Sequence, residues 1–263
     1  MPLMPLRDAI ATHVHDGQSV ALEGFTHLIR MTPDLIYDQM IGMGCAERLT
    51  FSWGGNPGVG SLHRLRDAVE KQWPQPLAIT ERTHAEMGVA YQAGASGLPC
   101  GLMRRYGATD LDRSREAAAV SIACPFSGDP LLAVPALNPD VTILHAQQAD
   151  REGNVLIRGI LGAAREAALA ARCLMVTVEE VVERLEAPMN ACVLPRWLIA
   201  AVSVVPGGAH PSYAAGCYER DNRFYLEWDA ISRDRGRFEA WVRDHVLSSA
   251  DHAQLLERLG VAA

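Results

Sequence analysis

No stretch of this chain approaches the roughly 18 uncharged apolar residues that a membrane helix requires, so no helical membrane span is expected. The N-terminal "MPLMPLRDAIATHVHDG" has no basic region followed by an apolar core, and no secretory signal is read there. Basic runs are missing too. Lys and Arg number 24 against 31 Asp and Glu, a net charge of −7, which speaks against nucleic acid as a partner. An anionic ligand must then find local donors, because the overall field does not draw it in. Six cysteines (Cys45, Cys100, Cys124, Cys173, Cys192 and Cys217) are scattered without a Cys-x-x-Cys pair and read as buried, reduced thiols of a cytoplasmic protein. His-Glu-x-x-His is absent and no set of His, Cys, Asp and Glu has ligand spacing, so no metal is expected, nor a permanently bound cofactor. A P-loop, a Gly-x-Gly-x-x-Gly fingerprint and a Gly-x-Ser-x-Gly elbow are also missing. Aromatic residues are scarce, at 6%.

What is present is an alternation of strand-like and helix-like segments in a chain that is 49% hydrophobic. Leu6 to Val14 reads as a helix, with Leu6, Ile10 and Val14 on one face. Ser19 to Leu22 is a short apolar strand, and Thr32-Pro33-Asp34 opens a helix with Thr32 as N-cap. Strands are read at Arg48 to Trp53, Pro76 to Thr80, Ala117 to Cys124, Asp140 to Ala146, in "CLMVTVEEVV" and in "LIAAVSVV". Helices are read at Leu62 to Lys71, at His84 to Gln92 and in "LGAAREAALAARC", with two more from Arg237 to Leu259. Several strands are apolar runs without alternation, the signature of strands buried on both faces. The fold class expected is α/β, an open, mostly parallel sheet covered by helices, in one domain spanning residues 1–263.

In such sheets ligands bind outside the carboxyl ends of the strands. The segments placed there are Glu23-Gly24-Phe25-Thr26, the loop Gly54 to Ser61, Glu81 to His84, Gln147 to Asp150, and Pro206 to Ser212. The Gly54–Ser61 loop, set before a helix, suits a phosphate or carboxylate, or is a structural turn. Pro206–Ser212 reads as an anion or acyl pocket, or as a sharp bend. His145 reads as a hydrogen-bonded core histidine. His84 lies at a strand-to-helix junction, as a site-lining or a capping residue. No nucleophile stands out.

The stretches "DGQSVALEGF", "HAQQADREGNV", "VTVEEVV" and "VVPGGAHPSYAAGCYERDN" resemble the A subunits of the class I (glutaconate-type) coenzyme A transferases, and "FSWGGNPGVGSLHRLRDAVEKQWPQ" and "APMNACVLP" carry the likeness across nearly the whole chain. The resemblance implies a NagB-like α/β fold and a heterodimer or heterotetramer with a homologous B subunit. It implies transfer of CoA from succinyl-CoA to a dicarboxylic 3-oxo acid, 3-oxoadipate, with the nucleophilic glutamate on the B subunit, none lying in this chain. The coenzyme A thioester is then a substrate. Carried over by position, Gly24, Phe25 and Thr26 fall on the family's Gly-Gly-Phe loop, which helps shape the CoA region, with Glu23 in place of its first Gly. Gly55, Asn56 and Gly58 fall on the loop that approaches the acyl carboxylate. His84 falls near a polar position facing the partner's glutamate, and Gln147 belongs to a motif that is structural as much as functional.

One departure stands out. In the family a helix and a strand follow the Gly-Phe loop, whereas here Ile29 runs directly into Arg30-Met31-Thr32-Pro33, so about twenty residues are missing where a parallel crossover needs a dozen or more. Either a strand of the sheet is absent or the chain is rerouted. Two alternatives to the main reading follow: a glutaconate-type transferase or CoA-ring-fragment hydrolase subunit, and a non-catalytic or defective subunit.

Overall fold

The computed structural model describes residues 3–21, 26–56, 58–105 and 119–261. In its first half, α1 (Leu6–His13), β1 (Ser19–Ala21), β2 (Thr26–Ile29), α2 (Leu35–Gly42), β3 (Ala46–Phe51), α3 (His63–Lys71), β4 (Ala78–Glu81) and α4 (His84–Ala95) succeed one another. There follow β5 (Cys100–Arg104), β6 (Val120–Ala123), β7 (Pro130–Pro135), β8 (Val141–Asp150), β9 (Val155–Ile157), α5 (Ala164–Ala170), β10 (Cys173–Val182), β11 (Cys192–Leu194) and β12 (Ile199–Val204). Helices α6 (Asn222–Arg233), α7 (Arg235–Trp241) and α8 (His252–Arg258) close the described chain.

The main sheet runs β4-β3-β2-β1-β8-β10-β12, every neighbour parallel. Strand β9 adds antiparallel to the end of β8, and β11 to β9. This is the α/β class that the apolar runs require. Successive strand residues face opposite ways. Leu28 therefore packs with Tyr37, Met40 and Ile41 of α2 and Leu65 of α3, while Ile29 packs with Met87 and Tyr91 of α4 and Ala167 of α5. The scarce aromatics are concentrated: Phe224, Trp228, Phe238 and Trp241 of α6 and α7 form one cluster with Leu35 of α2, and the Trp228 and Trp241 rings lie 5.0 Å apart, edge to face.

Asp38 ties three helices together. It is fully buried. Its Oδ1 accepts from the backbone N–H groups of Arg64 and Leu65 at 2.8 and 2.9 Å, at the open start of α3, and its Oδ2 accepts from Trp228 Nε1 at 3.3 Å. Burial pushes its carboxyl up to about 7, against these three donated hydrogen bonds.

Several local expectations are corrected. Helix α2 starts at Leu35 behind Asp34, and Thr32 does not cap it. Pro33 O, a carbonyl that a helix capped at Thr32 would use, accepts from Gly55 N instead. The strand expected at Ala117 to Cys124 is present as β6 over Val120–Ala123, but in a separate antiparallel sheet, β5-β7-β6. The tail carries a helix, α6, ahead of the two expected, and each of α6, α7 and α8 is capped by an aspartate accepting from the third residue on (Asp221, Asp234, Asp251). No cysteine is fully buried; all six are free, Cys217 is exposed, and Cys100, Cys173 and Cys192 open strands.

The shortened N-terminal segment is resolved by rerouting. Thr26–Ile29, unassigned in the sequence reading, becomes a strand between β1 and β3, so the sheet has no gap. Only residues 22–25 separate β1 from β2 in the chain. An extended link of that length reaches roughly 17 Å, enough to step about 5 Å sideways and return about 10 Å along a strand, but too short for a covering helix. Inserting a helix of about twenty residues between β1 and β2 supplies a full crossover and is expected to raise the thermal midpoint followed by circular dichroism. An unchanged midpoint would show that the short link costs the fold nothing.

Candidate functional site

From β1 the chain moves to β2, β3 and β4 on one side; from β8 it moves to β10 and β12 on the other. Adjacent strands whose connections depart in opposite directions leave a crevice at their carboxyl ends. A cleft of about 480 Å³ lies there, lined by Ala21 at the end of β1, Ile29 to Thr32 after β2, His145 and Gln147 on β8, and Arg158 after β9, with Gly208 to His210 of the loop following β12.

That loop is held by one carboxylate. Parallel register sets Thr177 of β10 beside His145 of β8, and Glu179 lies two residues on, on the same face. His145 Nδ1 is 2.8 Å from Thr177 Oγ1 and its Nε2 is 2.5 Å from Glu179 Oε1. Glu179 also accepts from Tyr218 O–H at 2.9 Å and, through Oε2, from Gly207 N–H at 2.8 Å. Tyr218 Oη in turn accepts from Ala209 N–H at 2.8 Å. Gly208 has no room for a side chain, since a Cβ would sit 2.7 Å from the His145 ring. Burial holds the His145 imidazole below its ordinary range, opposed by Glu179, and burial together with Glu179 pushes the Tyr218 hydroxyl up. Beside it, His210 Nε2 lies 3.1 Å from Asp221 Oδ2. His145 is thus the hydrogen-bonded core histidine expected, and it lines the cleft as well.

The residues expected from sequence fall in two places. Gln147 lines the cleft, but its amide is occupied: Oε1 accepts from Arg158 N–H at 2.8 Å and Nε2 donates to Arg158 O at 3.5 Å. Gly55, Asn56 and Gly58 lie on the loop after β3, outside the cleft lining and stitched to its rim through Met31 and Pro33. Gly58 is exposed with φ +80°, a left-handed position that suits glycine. Asn56 is only 3% exposed, and neither atom of its side-chain amide has a hydrogen-bond partner. His84 begins α4 with Nδ1 3.0 Å from Ser52 Oγ. Ser52 spends its single hydrogen on Met31 O at 2.6 Å, so Nδ1–H is the donor to Ser52 and Nε2 is left as an acceptor. Thr26 opens β2, its backbone in register with Ala46. Gly24 and Phe25 lie outside the described residues.

Glu179, Tyr218, Arg30 and Arg158 were not singled out in the sequence. The first two sit inside the quoted motifs, yet nothing in a linear reading pairs residues 39 apart.

Residues 77–204 match the family model "Coenzyme A transferase". The chain is 55% identical to the A subunit of 3-oxoadipate CoA-transferase from Pseudomonas knackmussii, over 98% of both sequences. The chain belongs to the coenzyme A transferase family. This transferase chain is also 30% identical to the A subunit of glutaconate CoA-transferase from Acidaminococcus fermentans, over 98% of its own length and 92% of the relative's. The crystal structure of glutaconate coenzyme A-transferase from that organism superposes with a TM-score of 0.89 at 28% identity, covering 99% of this chain and 93% of the other. The alignment with the Pseudomonas protein runs over 276 positions against the 263 residues of this chain, so the relative carries residues that this transferase chain lacks. Among the described residues no helix is long and apolar enough to cross a membrane.

In Tyr218→Phe, Ala209 N–H loses its acceptor and Glu179 one donor. The expected cost is about 1–3 kcal/mol in denaturant unfolding. A variant as stable as the parent would show that the loop is held without this hydroxyl.

Proposed function

We propose that this chain is the A subunit of a cytoplasmic CoA-transferase that moves CoA from succinyl-CoA to 3-oxoadipate, with the nucleophilic glutamate supplied by a B subunit. The observation carrying this reading is the 55% identity over 98% of both chains to a protein of that name. The site agrees with a divided catalytic centre. Among the described residues lining the cleft the one acid is Asp34, and it faces Arg30 at 3.9 Å. Glu179 is engaged by three donors. Those contacts withhold Glu179 from attack on a thioester.

In the reaction proposed, the partner's carboxylate attacks the thioester carbonyl and expels CoA thiolate, leaving an acyl-enzyme anhydride. The thiolate returns to the enzyme carbonyl, releases succinate and leaves an enzyme-bound CoA thioester. The acceptor carboxylate then repeats the two steps in reverse. Each addition passes through an oxyanion, which needs donors placed in advance. The loop Gly55–Gly58 is joined to the cleft rim through Pro33, and His84 lies exposed near the same rim, next to Ser52. The continuous sheet across β1, β2 and β3 speaks for a chain able to fold without the missing segment.

Coexpression with the B subunit is expected to give a complex that transfers CoA from succinyl-CoA to 3-oxoadipate, while this chain alone gives none. Full activity from the single chain would overturn the shared site. Asn56→Ala removes a buried amide with no internal partner, so stability in denaturant unfolding is expected to hold or rise. A clear loss of stability would show that the amide is held after all.

A further inference from the structure

Two arginines line the cleft, and they differ in their surroundings. Arg30 has a counter-ion, Asp34, at 3.9 Å, and its guanidinium lies over the Tyr37 ring. Arg158 has no acid in contact among the described residues. Its Nη2 donates to a neutral amide, Gln148 Oε1, at 3.2 Å, and its Nε is buried without a hydrogen-bond partner. The acid beyond that amide, Glu180, accepts from Gln148 Nε2 at 2.7 Å and so reaches Arg158 only through Gln148. The backbone of Arg158 is clamped on both sides by the Gln147 amide. A fixed, half-buried guanidinium without an anion, in a chain of net charge −7, is costly unless something charged arrives to pair with it. Apolar residues (Ile29, Ile157 and Leu161) share the same lining.

We propose that Arg158 is the specificity-determining residue that binds the non-reacting carboxylate of the acyl group, with Gln147 as its positioning residue. This rests on the transferase reading above. A succinyl group and a 3-oxo dicarboxylic acid each carry one carboxylate that takes no part in the chemistry. One arginine can therefore serve both half-reactions, pairing in a planar, two-hydrogen-bond geometry while the apolar wall covers the methylenes. Gln147 then acts indirectly, by holding the backbone from which Arg158 reaches the ligand.

The test uses the complex with its B subunit, comparing Arg158→Ala and Arg158→Lys with the parent on 3-oxoadipate and on acetoacetate, a 3-oxo acid lacking the second carboxylate. The expected result for Arg158→Ala is a fall of about 100-fold in kcat/KM for 3-oxoadipate, with acetoacetate changed less than about 3-fold. Arg158→Lys is expected to recover part of the loss, as a point charge replaces the fork. Equal losses on both acids would overturn the proposal. So would a rise in KM for the CoA thioester whatever its acyl group, which would assign the arginine to a CoA phosphate. Titration calorimetry with 3-oxoadipate gives a readout independent of turnover. If the parent complex transfers no CoA, weaker binding in Arg158→Ala still supports the carboxylate site, and equal binding, or no binding by the parent, overturns it.

Discussion

The parallel ladder between β8 and β10 is the contact on which the rest of the site depends. Nine residue pairs register along it, from Val141 with Cys173 to Asp150 with Val182. On its other side, among the described residues, β8 is joined by β1 at Val141 and Thr142, at its start. Farther along, β9 pairs with β8 at Gln148 and Ala149. The same register brings Thr177 and Glu179 to His145, and through Glu179 it places the glycine loop beyond β12 on the cleft wall.

Charge in this site is managed locally. With a net charge of −7 the molecule offers an anionic substrate no long-range attraction. Glu179 is saturated by donors and Asp34 faces Arg30, so the cleft keeps one guanidinium whose charge no neighbouring acid answers among the described residues. Asn56 is the complementary case, a buried amide that the described chain leaves unpaired. Buried polar groups are nearly always paired, with protein or with ordered water.

The segment between β1 and β2 shows how a sheet absorbs a loss. A parallel pair ordinarily returns through a helix. Here the residues that follow Gly24 and Phe25 in the chain, Thr26–Ile29, take the vacant place beside β3, because Leu28 and Ile29 have the right alternation to serve the two cores on opposite faces. The hydrophobic demand of the sheet decides what those four residues become.

The alternation of apolar strands and helices determined the class of fold, since strands without polar alternation can only be buried on both faces. The same linear pattern marked the loops at the strand ends, and the ordered motifs carried the family. It could not place β6 and β7 in a second, antiparallel sheet, because a short apolar run looks the same in either. Nor could it tell that Gln147 serves Arg158, that Glu179 governs residues 207 to 218, or that His84 and Asn56 lie on the rim while His145 lines the cleft. Those facts rest on strand register and on the direction in which each connection leaves the sheet. Only the tertiary structure sets these, by bringing residues dozens of positions apart within hydrogen-bonding distance.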